Sequence, residues 1–244
     1  VLDLLDAGLP GPARGVFTTR AGGTSAPPYA ALNLALHTGD EWRRVHANRD
    51  LLGSELGLSH RELVFAQQVH GTGVRVVTGP SATGRDRGLP ASDGLVTAAR
   101  GVALVMMGAD CLPVLVAGEG VVGAAHVGRA GLAAGVLPEL LRVLREHGAG
   151  PLAARIGPGI CAGCYEVPEA LAAEVEEQVP GSRARSRQHT PAIDLTAGAR
   201  RQLADAGVTD VDAVGGCTAE QPDRFFSYRR DGVTGRHAGV VWLP

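Results

Sequence analysis

GADCLPVLVAGEGVVGAAHVGRAG, residues 108–131, contains two apolar runs, 112–117 and 121–125, on either side of Gly118-Glu119-Gly120. Two short apolar runs around a glycine-bounded turn predict a buried β-hairpin. Cys111, beside Asp110, stands just before the first run, and His126 just after the second. The open end of such a hairpin brings a thiol and an imidazole together. Upstream, His70 in FAQQVHG also closes an apolar run. Cysteine and histidine at strand ends are what a metal site or a Cys–His catalytic pair needs.

Outward from the hairpin, the pattern alternates irregularly between strands and helices. Strands are expected at 15–19, 63–69, 73–78, 95–97, 102–107, 153–156, 211–214, 225–229 and 238–243. Helices are expected at 41–56, 130–147, 168–178 and 194–206. In the first helix Val45, Leu51, Leu52 and Leu56 recur at helical spacing, with Asp40 as the expected N-cap and Gly57 as the stop. The stripe Leu132, Val136, Leu140, Val143 and Leu144 marks 130–147, and Pro138 inside it predicts a kink or a late start. Residues 182–188, with three arginines, read as a solvated loop. Residues 79–94 are rich in Gly, Pro, Ser and Arg; a loop this long is expected to be mobile and to border the active site. No linker-like composition break and no internal repeat interrupts the chain, so 1–244 is expected to be a single α+β domain.

The composition narrows the function. Apolar residues make up 45% and charged residues 20%, which is ordinary for a water-soluble globular chain. A net charge of −2 gives no electrostatic case for nucleic acid or an anionic membrane as partner. All 23 basic residues are arginine, so a Schiff-base or lysine-nucleophile mechanism is excluded. Four cysteines in 244 residues do not form a disulfide framework; reduced thiols and a cytoplasmic location are expected. The first fifteen residues do not read as a signal peptide, and no run approaches a membrane-spanning length.

His70, Cys111 and His126 form the first candidate site. Zinc accepts both donor types, and three protein ligands leave a fourth position open. The plain alternatives are a buried cysteine before a strand and a turn histidine beside glycine. Cys161 and Cys164 form a CxxC with no second pair nearby, and packed thiols are the favoured reading, as is a core position for Cys217. Arg20, Arg129, Arg229 and Arg236 lie at strand ends or turns, where a guanidinium can bind phosphate or carboxylate bidentately; surface ion pairs are the alternative. Arg129 also precedes an expected helix, whose N-terminus favours anions.

Taken together, TTRAGG, LNLALHTGD, QQVHG, SDGLVT, ADCLPVL, AAHVGRAG, IGPGICAGCYEV and the closing CT, RFFSYRRDGVTGR and GVVWL are similar to a known family. It is named variously for laccase-like polyphenol oxidase, peptidoglycan editing factor and purine nucleoside phosphorylase. The resemblance runs from about Val16 to Leu243. It implies an α/β/β/α layered domain with one zinc on the histidine of QVHG, the cysteine of ADC and the histidine of AAHVGRAG, here His70, Cys111 and His126. The family's usual Trp-Arg pair after His-Ala-Gly is here Arg129-Ala130.

The activity so implied is zinc-dependent phosphorolysis of purine nucleosides such as adenosine, inosine, guanosine and methylthioadenosine, with adenosine deamination as a further possibility. Phosphate and a nucleoside are the expected partners, with Arg20, Arg129 and Arg229 neutralising anionic charge. A multicopper oxidase needs several copper-ligand clusters, and the eight histidines show none in tandem. Two alternatives stay open. One is a metal-free Cys–His hydrolase or amidase with Cys111 as nucleophile, suited to peptidoglycan precursors. The other is a non-catalytic zinc-binding protein.

Overall fold

The hairpin forms, and it lies at the middle of the molecule. The computed structural model describes residues 2–81 and 89–244. In chain order its elements are β1 (Leu4–Asp6), β2 (Arg14–Thr18), α1 (Trp42–Leu56), β3 (Leu63–Phe65), β4 (Val74–Val76), β5 (Gly94–Thr97), β6 (Ala103–Gly108), β7 (Leu112–Gly118), β8 (Val121–Val127), α2 (Arg129–Ala134), α3 (Val136–Glu146), β9 (Ala153–Ile156), α4 (Glu169–Gln178), β10 (Arg183–Arg185), β11 (Pro191–Ile193), α5 (Leu195–Asp205), β12 (Asp210–Ala213), α6 (Tyr228–Asp231) and β13 (His237–Trp242). One sheet has the order β12-β9-β7-β8-β5-β4, and the other β1-β2-β13-β6-β3.

Alternate side chains of the hairpin enter different cores, as the period-2 geometry of a strand requires. Val114, Val116, Val121 and Ala125 pack with Leu132, Leu140, Leu144 and Leu203 of the helices. Leu115, Ala117, Val122 and Ala124 face the other sheet and meet Phe17, Leu104, Met106 and Val241. Beyond that second sheet, Ala103, Val105 and Val240 pack with Leu52 of α1 and with Leu32 and Leu34. The order is helices, sheet, sheet, helix: the α+β layering expected. Both faces of the central strands are covered, so their sequences are continuously apolar rather than alternating.

This packing aims the strand ends. In the hairpin register Pro113 lies opposite His126. His126 falls two residues after Ala124, so its side chain projects into the space between the two sheets, at their edge. The strand β6 lies across that space and ends at Gly108, which delivers Asp110 and Cys111 to the same edge.

Several expected elements come out differently. The helix expected at 130–147 is two helices, and the break falls at Gly135 (φ 87°), a left-handed residue capping α2, not at Pro138. Pro138 lies in the first turn of α3, where its missing N–H is not needed. Residues 225–229 are not a strand: 225–227 lead into α6, which takes in Tyr228 and Arg229 and is capped by Ser227, whose hydroxyl accepts from Arg230 N–H. The arginine-rich 182–188 stretch is partly a strand, β10, paired with β11. The N-cap of α1 is Glu41; Asp40 accepts instead from the Ser25 hydroxyl and the Asn33 amide. Of the loop 79–94, residues 82–88 lie outside the described residues, whereas Ser92 and Asp93 at its end are wholly buried.

His237, the first residue of β13, is buried, and its Nδ1 has no partner among the described residues. Burial pushes its pKa down to about 4. An unfolded-state imidazole titrates near 6.5, so as pH falls from about 6.5 the unfolded chain takes up a proton that the folded chain refuses. This residue should therefore remove stability progressively, by about 3 kcal/mol near pH 4 and no further below. Urea titrations across that range should show a shallower pH slope for His237→Gln than for the wild type. Equal slopes would contradict the assignment.

Candidate active site and metal centre

The site is assembled around a buried carboxylate that the sequence alone marks only as the Asp of SDGLVT. Asp93, immediately before β5, is fully buried. It accepts backbone N–H bonds from Val69, His70 and Gly71 at 3.2, 2.9 and 2.8 Å. Its Oδ1 also meets His126 Nδ1 at 2.8 Å. Burial works against the Asp93 charge, but the bonds from His126 and the three N–H groups hold its carboxyl below the usual range.

One carboxylate thus positions two histidines. The three N–H bonds hold the 69–71 turn, where His70 adopts a left-handed backbone (φ 61°). Gln68 fastens the same segment to β6, donating to Met107 O and accepting from Met107 N–H. On the other side, the Asp93 bond occupies Nδ1 of His126, which leaves Nε2 as the ring nitrogen for Cys111 or a metal. The His70 and His126 rings meet edge to face at 4.7 Å, and Cys111 Sγ lies 3.8 Å from His70 Nε2. The donor atoms of His70, Cys111 and His126 all lie within 4.8 Å of one another and can hold a metal ion.

The fit depends on a missing side chain. A Cβ on Gly128, the residue before α2, would lie 2.8 Å from Cys111 Sγ and 2.9 Å from His70 Cδ2. Glycine there lets the backbone after β8 close over the sulfur. Two nitrogens, one sulfur and a histidine held by a carboxylate are a donor set that zinc accepts. Without a metal, Cys111 and His126 favour a thiolate–imidazolium pair. Burial opposes charge on both, yet mutual attraction and hydrogen bonds lower the Cys111 thiol to about 6 and raise His126 to about 9, with Asp93 assisting the latter.

These residues open onto a cavity of about 570 Å³. Arg129, Arg229 and Arg236 line it, with Tyr165 and Tyr228 as aromatic walls and Met107, Ile160 and Leu195 as apolar ones. Arg229 stacks 5.1 Å over the Tyr165 ring and donates to Glu166 O. Its backbone N–H is bound by Asp110 Oδ2, while Asp110 Oδ1 accepts from the Thr218 hydroxyl. Those two bonds hold Asp110 in a left-handed conformation (φ 95°) directly before Cys111.

Arg20, expected beside the phosphate, is placed apart from these arginines. It does not line the cavity: its guanidinium donates to Ala30 O and Pro222 O and stacks 4.7 Å over Phe226, so it ties loops together. The helix after Arg129 is also shorter than expected. With α2 ending after six residues, little macrodipole builds up, and the positive charge of the pocket comes mainly from its guanidinium groups. Asp93, Asp110, Gln68 and Tyr165 do not stand out in the sequence as site residues. Asp93 and Asp110 share one signal, a position beside a strand end, which Gln68 and Tyr165 lack.

A family model described as "Multi-copper polyphenol oxidoreductase laccase" matches residues 14–244. The chain belongs to this family. It is 49% identical over 237 residues to a Streptomyces griseus protein named Purine nucleoside phosphorylase ORF3, covering 96% of this chain and 95% of the relative. It is 37% identical to Purine nucleoside phosphorylase YfiH of Escherichia coli K12, covering 93% and 92% of the two chains. Among solved structures, YlmD from Geobacillus stearothermophilus superimposes with a TM-score of 0.89 at 32% identity, covering 96% of this chain and 92% of that one. The laccase-like family is thus matched in both sequence and fold. Among the described residues, no helix is long and apolar enough to cross a membrane.

Gly128→Ala should keep the fold, because Gly128 has an extended backbone (φ −92°, ψ 174°) that alanine adopts freely. Its Cβ would nonetheless push Cys111 and His70 apart. Elemental analysis of the purified variant should show the metal of this site lost, while the thermal midpoint stays close to that of the metal-free wild type. Asp93→Asn should weaken metal binding by roughly 10–100-fold, the usual effect of removing a carboxylate behind a ligating histidine. Undiminished metal content in both variants would place the metal elsewhere.

Proposed function

We propose that this chain is a purine nucleoside phosphorylase whose site holds one zinc ion on His70, Cys111 and His126. The observation that carries the reading is the placement of that donor group in one cavity with Arg129, Arg229 and Arg236. The names of relatives at 37–49% identity support it. A metal donor set beside three cations suits an anionic co-substrate, and the aromatic walls suit a planar base.

In the proposed reaction a phosphate oxygen bonds to ribose C1′ as the C1′–N9 bond breaks. The products are ribose 1-phosphate and the free purine, which takes up the proton. Arg129 and Arg229 hold the phosphate, and Arg236, half-buried in the cavity wall, adds charge. Tyr165 lies beside Arg229, and its phenol is raised by burial and by the Cys111 charge, against the pull of Arg129 and Arg229. It therefore stays protonated at neutral pH and can donate a hydrogen bond to the substrate. Zinc bound at the histidine–cysteine group would supply a Lewis acid next to the phosphate, and the same property underlies the adenosine deamination we include as a secondary activity.

A second reading rests on a specific observation: Asp93, His126 and Cys111 line up as an acid, an imidazole and a thiol. Without metal that order suits a Cys–His hydrolase acting on an amide. The two readings separate cleanly. Incubated with inosine or adenosine, the wild type should release base and ribose 1-phosphate only when phosphate is present. Arg129→Ala should raise the phosphate KM by roughly tenfold or more, the loss expected for one charged hydrogen bond, with less effect on the nucleoside KM. Base release without phosphate would indicate hydrolysis, and turnover of amides alone would establish the second reading.

A further inference from the structure

The sequence favours packed thiols for Cys161, Cys164 and Cys217, but the fold brings all three together with a carboxylate. The CxxC turn follows β9, and Cys217 and Glu220 come from the loop after β12, the strand that pairs in parallel with β9. One donor atom from each of the four residues lies within 4.8 Å of all the others. Cys164 Sγ is 3.3 Å and Cys161 Sγ 3.9 Å from Glu220 Oε1. The backbone N–H of Cys161 donates to Cys217 Sγ at 3.3 Å. All four cysteines are free of disulfides.

We propose that Cys161, Cys164, Cys217 and Glu220 form a second zinc site, structural and separate from the His70–Cys111–His126 group. Tetrahedral zinc with 2.3 Å bonds to sulfur sets its sulfurs about 3.8 Å apart, a modest contraction of the present cluster. The ligand types suit a borderline-soft divalent cation rather than calcium or magnesium. Most of the negative charge is offset, leaving a net −1. Three thiolates and a carboxylate carry −4; zinc returns +2, and Arg187, paired with Glu220 through Nε at 2.6 Å, returns +1. Binding releases the three thiol protons to solvent. Without a cation these acids crowd one another: burial, then the neighbouring thiols and Glu220, raises Cys161 and Cys164 above the ordinary thiol range.

The position suits a structural role. Cys164 is followed by Tyr165, a wall of the cavity. Cys217 is followed by Thr218, which donates to Asp110 beside Cys111. A closed, four-ligand metal there would clamp the two loops that carry this wall without entering the cavity.

The test uses zinc and cobalt on the full chain. Wild type reconstituted with zinc under reducing conditions and then desalted should hold about two zinc ions per chain, not the one that the histidine–cysteine group alone accounts for. His70→Ala/His126→Ala should keep about one, and Cys164→Ser/Cys217→Ser should also keep about one. Should the cysteine variant fail to fold, the histidine variant loaded with cobalt decides the matter. Intense tetrahedral d–d bands with strong thiolate-to-cobalt charge transfer are expected, because three sulfurs remain. A zinc-free, cobalt-silent histidine variant would overturn the proposal, as would a Cys161–Cys164 disulfide in the freshly purified protein.

Discussion

Asp93 is the charge on which the rest of the site depends. A carboxylate wholly removed from water is costly unless several donors reach it, and here three consecutive backbone N–H groups and one imidazole do so. Each donor that stabilises the charge is itself positioned by it. The 69–71 turn is held in a backbone conformation that histidine adopts rarely, and the His126 ring is fixed in rotation. The two histidines therefore share one anchor, and the distance between them is set by a single side chain. A metal site built this way is preorganised: its ligand atoms need little movement, so little conformational freedom is lost on binding.

The anchor works because the fold supplies rigid strand ends. The hairpin β7–β8 is sandwiched between two apolar cores, and the strands that cross it belong to a second sheet with its own outer helix. Local opening there would expose apolar surface on both faces, so the ends that carry Cys111 and His126 are among the least mobile parts of the chain. The loops that carry Tyr165 and Thr218, and the short helix α6 that carries Arg229, are less deeply rooted. They are tied to the strand ends through Asp110, which accepts from both Thr218 and Arg229. The two carboxylates thus have separate roles. Asp93 fixes the metal donors, and Asp110 joins the cationic wall to them.

Much of this was legible in the sequence, and the reasons are physical. A strand buried on both faces gives a continuous apolar run, so the hairpin stands out, and residues at its ends can be paired without knowing the fold. Cys111 and His126 emerge from that logic, and His70 from the end of a separate apolar run and its QVHG motif. Asp93 does not, because nothing local distinguishes an aspartate that accepts three distant N–H bonds from one that caps a turn. The contacts of Arg20 are hidden for a related reason. An arginine in a glycine turn looks free, but its partners Ala30 O and Pro222 O are set by tertiary packing. Gly135 lies within a continuing apolar stripe, and only the observed backbone shows that the helix stops there. The CxxC had no visible partner because Cys217 and Glu220 are more than fifty residues away in the chain.

The central claim is that a metal and a phosphate meet in one cavity, the metal on residues anchored by Asp93 and the phosphate on the arginines opposite. A crystal grown with phosphate, with anomalous data collected on both sides of the zinc edge, tests it most directly. The account predicts a zinc peak bonded to His70 Nε2, Cys111 Sγ and His126 Nε2, with phosphate density against Arg129 and Arg229 in the same cavity. Zinc absent from that group in zinc-supplemented crystals, or phosphate bound only outside the cavity, would contradict it.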